Sequence, residues 1–162
     1  MAARGWRIDD EARLKALREY GIFSIGREER YDRIAASAAE TLEAPLAIIN
    51  FIEHDRQWFK ARHGIDVAEP PIEQSICVHC LGEGGALVIE DLATDRRTRN
   101  LPLVTEDPAV RFYAGVPIVV DGQGIGVLAV MDVKPRPEGI SALQSEKLEA
   151  HANRIATYIG EC

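Results

Sequence analysis

Apolar positions recur along this chain with two periods, and the changes of period mark out its elements. Tyr31, Ile34, Ala35, Ala38 and Leu42 step by three and four, which predicts a helix from about Glu28 to Glu43 with one buried stripe. Leu148, Ala152, Ile155 and Ile159 repeat that spacing near the C-terminus. Ser141 and Gln144 form a capping box ahead of them, so a helix is expected from there to about Gly160. A shorter helix through Ala12, Leu14, Ala16 and Leu17 begins behind Asp9 and Asp10 and stops at Gly21. Leu46–Ile52 follows Pro45 as a nearly continuous apolar run and reads as a buried strand. Gln57–His63 alternates instead, with Phe59 and Ala61 on one side and Trp58, Lys60 and Arg62 on a wetter one.

The second half continues in the same way. Gly64–Gln74 carries prolines and no period, and reads as a loop. Ser75 is placed to cap a helix through Cys77, Val78, Cys80 and Leu81, closed by Gly82, Gly84 and Gly85. Ala86–Glu90 is the next strand, and Asp91–Pro108 is the least regular segment. Arg111–Val120 and Gly124–Val133 flank Asp121-Gly122-Gln123, a tight-turn signal. Pro117 has no N–H to give a ladder, so it should mark an edge or a bulge. Helices at both ends around hairpin-linked strands predict one α+β domain with a central antiparallel sheet of five to six strands.

Composition narrows the function. Nineteen Lys and Arg stand against 26 Asp and Glu in 162 residues, a formal charge of −7. Such a surface repels phosphate backbones, so no nucleic-acid partner is expected. Three cysteines, Cys77, Cys80 and Cys162, are too few for a disulfide framework. The N-terminus is charged and has no apolar signal core, and no apolar run approaches the ~20 residues that span a bilayer. A cytoplasmic location with no membrane partner is the expectation.

Four motifs then point to a family. Asp55-Arg-Gln-Trp-Phe-Lys60, Ser75-Ile-Cys77-x-His79, Arg111-Phe-Tyr-Ala-Gly115 and Gly126-Val-Leu-Ala-Val-Met-Asp132 occur in that order. Together they resemble the GAF domain family, in particular the branch found in bacterial histidine kinases and diguanylate cyclases. The resemblance runs over residues 28–160 and leaves 1–27 as an N-terminal helical extension. It implies a GAF/PAS-like sheet with the N- and C-terminal helices packed on one face and a small effector bound at the other. It also implies a non-catalytic sensory role in signal transduction, and a homodimer made through the terminal helices. Members of that branch sit beside an output domain, so a separate output protein is the partner expected here.

On this reading the candidate ligand-binding residues are Trp58, Ser75, Cys77, His79, Asp91, Arg111 and Tyr113, with no resident cofactor and an effector of unknown identity. Trp58 and Tyr113 offer aromatic surface with a polar handle. His79 could bond an effector or titrate near neutrality. Cys77-Val-His-Cys80 supports three alternatives. It is a buried reduced pair, a redox pair like that of a free methionine sulfoxide reductase, or part of a metal site with His79. A zinc site would need a fourth ligand from His54, His63 or Cys162. Arg96-Arg-Thr-Arg99 is either a solvated run or an anion receiver. A last possibility is a docking module whose cleft is filled by its own side chains.

Overall fold

The computed structural model describes residues 5–22 and 28–160. Five antiparallel strands form its core: β1 (Leu46–Ile52), β2 (Gln57–His63), β3 (Leu87–Ile89), β4 (Phe112–Val120) and β5 (Gln123–Asp132), in the spatial order β2-β1-β5-β4-β3. The helices are α1 (Glu11–Glu19), α2 (Glu29–Thr41), α3 (Ile76–Glu83), α4 (Pro102–Thr105) and α5 (Ala142–Gly160). The short α4 breaks the segment that reads as irregular in sequence. Among the described residues no helix is long and apolar enough to cross a membrane.

The sheet divides two apolar layers. Ala47, Ile49 and Phe51 of β1 face α2 and α5, while Leu46, Ile48 and Ile52 face α3 and the loops. A strand covered on both sides has no polar side to show, which is why its sequence alternates so little. The α5 seam of Leu148, Ala152, Ile155 and Ile159 is spent within the chain, packed with the α2 stripe onto the sheet. A homodimer through the terminal helices would therefore have to use residues other than this seam.

Local chemistry sets the ends of the elements. The capping box forms as expected, with Ser141 N donating to Gln144 Oε1 at 2.9 Å and Gln144 N to Ser141 Oγ at 3.1 Å. Asp121 and Gly122, at φ 51° and 78°, make the two-residue turn between β4 and β5. Pro117 lies beyond Gly115, the last β4 residue paired with β3, where no partner strand needs its missing donor.

β2 departs from the strict alternation expected of it. A register shift between Ile49 and Asn50 pairs Ile49 with Ala61 and Asn50 with Phe59, leaving Lys60 as the extra residue. The bulge reverses the faces: Phe59 joins the α3 layer, whereas Ala61 and Trp58 join the α2 layer. The supposed wet face is thus covered by α2, and Lys60 is buried with its Nζ 5.1 Å from the Tyr31 ring centroid.

The N-terminal extension is docked onto the rest. Trp6 N donates to Leu81 O at 2.8 Å, and the indole covers Gly124, where a Cβ would come within 2.6 Å of the ring. From there the chain passes the ends of β1 and β5 and delivers Ala16 and Leu17 to the α2/α5 layer. At the crossing Arg13 is fully buried. Its guanidinium donates to the carbonyls of Arg7, Ile8, Ile52 and Gly124.

Candidate functional site

On the α3 side of the sheet, a cavity of about 30 Å³ lies under α3 and the 64–75 segment. Its walls are mostly apolar, with Ile48, Phe59, Ile65, Val67, Ile76 and Met131 prominent. The polar groups come from separate elements. Asn50 follows the register shift in β1, Gln57 opens β2, Ser75 caps α3, Cys77 lies in its first turn, and Tyr113 projects from β4. Ser75 Oγ accepts from Val78 N at 3.3 Å, so the residue that starts the helix also lines the cavity.

These polar groups are connected. Gln57 Oε1 accepts from Asn50 Nδ2 at 2.7 Å and from Ser75 Oγ at 2.8 Å, and Gln57 Nε2 donates to Pro70 O at 2.8 Å. Tyr113 donates its hydroxyl to Cys77 Sγ at 3.1 Å. Its ring lies flat along the strand because position 115 is glycine; a Cβ there would sit 2.5 Å from the hydroxyl.

Burial raises the Cys77 thiol pKa against the opposing hydrogen bonds from Tyr113 and Asn50. Burial, and then the neighbouring Cys77, raise that of Cys80 as well. Burial thus makes both thiols less acidic than a free cysteine, the opposite of the lowered pKa that activates a nucleophilic cysteine. Iodoacetamide at pH 8 should label neither residue in the native protein and both after unfolding. Rapid native labelling of either would favour the redox reading.

Of the residues singled out from sequence, Ser75, Cys77 and Tyr113 line this cavity. The other four do not. Trp58 sits on the opposite face against Phe51, its bulged strand having turned it there. His79 is exposed on the outer side of α3, where partial burial and then Arg97 lower its pKa. Asp91 Oδ1 closes a turn by accepting from Ala93 N at 3.0 Å. Arg111 donates to Val104 O at 2.7 Å and holds the α4 segment to the start of β4.

The metal alternative finds no geometry. Among the described residues, Glu53, His54 and Asp55 are the group that brings three potential ligand atoms together, and Cys77, His79 and Cys80 do not converge. Cys162 lies outside the described residues. In the Arg96–Arg99 run, Arg97 is taken by Asp95 at 2.9 Å and Thr98 is buried on Leu92 O at 2.7 Å, while Arg96 and Arg99 are exposed.

Asn50 and Gln57 escaped the sequence reading. A signal for Asn50 existed: it is the single polar residue inside the otherwise apolar run Leu46–Ile52. Gln57 stood inside the motif Asp55–Lys60 but had no chemical signal of its own, since a glutamine at a strand start is unremarkable until the fold shows what it touches.

Residues 26–159 match the GAF domain family. A cyclic di-GMP phosphodiesterase of Pseudomonas aeruginosa is 33% identical over 137 residues, which is 84% of this chain and 23% of that protein. The chain thus spans about a quarter of that relative's length. The GAF domain of a phosphoenolpyruvate-protein phosphotransferase from Coxiella burnetii superposes with a TM-score of 0.69 at 14% identity, over 91% of this chain and 92% of that one. A type II free methionine-R-sulfoxide reductase from Thermoplasma acidophilum gives 0.67 at 14% identity, over 82% and 92%. At such identities the two structures speak for the fold alone.

Proposed function

The chain belongs to the GAF domain family, a family of signalling sensor modules, and from that premise we propose that it senses a small molecule taken up between α3 and the sheet, with no chemistry of its own. The observation that carries this is the buried chain of Asn50, Gln57, Ser75 and the Pro70 carbonyl beside an apolar cavity. Polar groups that deep lower stability relative to an apolar core unless every one is paired. A layer built for stability alone would have filled the space with leucine or valine.

Two routes lead from the cavity to the terminal helices. The first is the sheet, since Asn50 lines the cavity while Phe51 beside it packs in the α2/α5 layer. The second is the segment Trp6–Leu17, bonded at one end to the last turn of α3 and packed at the other against the terminal-helix layer. A ligand that shifts α3 does work on the helices only to the extent that it prefers one of their arrangements. The output then passes to a second copy or to a separate output protein docked on those helices.

The cavity volume of about 30 Å³ favours a second reading, a docking module with no ligand. That space holds a water or two, so an effector must open it. Native mass spectrometry of freshly purified protein separates the two, run with and without chelator and reductant. Retained excess mass of metabolite size, lost when Cys77→Trp fills the cavity, is the expected result. A clean apo mass, with no thermal shift across a metabolite panel, would overturn the sensor reading.

A further inference from the structure

The hydrogen bonds of the cavity have a direction, and they leave one atom over. Pro70 O is an acceptor only, so Gln57 must turn Nε2 toward it and present Oε1 to the cavity side. That oxygen needs donors, which Ser75 Oγ and Asn50 Nδ2 supply. Asn50 therefore cannot be flipped, because two amide oxygens would then face each other across 2.7 Å. With Nδ2 committed, Asn50 Oδ1 remains as an acceptor that no donor among the described residues meets, in a residue only 1% exposed. An orphaned acceptor at such depth is a fixed cost that a donor from outside would remove.

Charge supplies the second constraint. Among the described residues, every one lining the cavity is neutral, from the apolar walls to Asn50, Gln57, Gln74, Ser75, Cys77 and Tyr113. An anion or cation entering would lose its hydration and meet no counter-charge. The geometry points to a small uncharged ligand that presents one N–H or O–H donor to Asn50 Oδ1 from an otherwise apolar body. This rests on the sensor reading of the same cavity and narrows it, setting aside phosphate-bearing and zwitterionic effectors.

The test uses the whole chain and three probes of one shape: phenol, toluene and benzoate, titrated against its backbone amide resonances. Phenol is expected to move the amides of Asn50, Gln57, Ser75 and Cys77, and to bind about ten-fold more tightly than toluene, the ratio for one buried hydrogen bond. Benzoate is expected to leave those amides in place. In Asn50→Leu the preference for phenol should vanish. The wild-type series decides by itself should that variant fail to fold. Toluene binding as well as phenol, or benzoate binding as tightly, would overturn the ligand class while leaving a ligand cavity. If no probe enters but native mass spectrometry finds a bound effector, the class is wrong and the sensor reading stands. If both are blank, both fall.

Discussion

Replacing Arg13 with methionine should lower the stability of the domain by about 3–5 kcal/mol and free the N-terminal segment, since each buried carbonyl left without its donor costs ~1–3 kcal/mol. Arg13 is 0% exposed and has no carboxylate partner among its bonds. Its guanidinium lies 2.6 Å from Ile52 O, 2.8 Å from Ile8 O, 3.2 Å from Arg7 O and 3.4 Å from Gly124 O. Burial lowers its pKa to about 10, with Asp10 and then Asp9 acting in the other direction, so it is still charged at neutral pH. Hydrogen bonds to a charged group contribute ~1.5–3 kcal/mol each, and the three shorter ones outweigh that desolvation. Methionine keeps the apolar stem but takes this donor from the buried Ile52 carbonyl and the part-buried Ile8 carbonyl.

The loss is bounded by what the segment can escape, since undocking rewets every orphaned carbonyl. The melting temperature should fall by roughly 10 °C, and amide exchange at Trp6–Leu17 should quicken more than in α2 or α5. Arg13→Lys should fall between, because one ammonium cannot span carbonyls on both sides of the crossing. An unchanged melt, with Trp6–Leu17 still protected, would show that the segment is held by Trp6 and Leu17 and that Arg13 is incidental.

Ile155→Asp should cost more still, and is expected to abolish cooperative folding. Ile155 is 0% exposed in the layer that α5 shares with α2 and the sheet. A carboxylate there must either stay charged without a partner or take a proton, and either way several kcal/mol is lost. That approaches the ~5–15 kcal/mol total of an ordinary domain. The neighbouring Arg154→Asp, on the exposed face of α5, changes stability by no more than ~0.5 kcal/mol. The pair separates two roles for the seam. If Ile155→Asp melted like the parent but dissociated a dimer, the seam would face a second subunit; collapse of the monomer itself assigns it to the intramolecular core.

The legibility of this chain differs by scale. Helix starts could be read because capping is local: Asp10, Ser75 and Ser141 each act on backbone donors within three residues. The α2 and α5 stripes could be read because a helix repeats its buried side every three to four residues. The faces of β2 could not, since a single bulge at Lys60 turns Trp58 and Phe59 about, and nothing in Gln57–His63 announces it.

The site was legible in part for the same reason. Ser75, Cys77 and Tyr113 of the family motifs reach the cavity, whereas Trp58, His79 and Arg111, which the same motifs carry, do not. His79 and Asp91 looked equally suitable by chemistry, yet one lies on the outer side of α3 and the other closes a turn. Residue type alone does not say toward which layer a side chain points.

What the amino-acid sequence determined unaided was therefore every strand and every α-helix but the short α4, their α+β class and the family. The elements and their class follow from periodicity, caps and turns that act over a few residues; the family follows from the four motifs the chain carries in order. Tertiary structure alone decided that Gln57, held by the Pro70 carbonyl, orients Asn50 and strands its oxygen in a neutral cavity. It alone decided that Arg13 ties the N-terminal segment to the strand ends. Both depend on groups brought together from distant positions, where hydrogen-bond direction and burial exist only once the chain has folded.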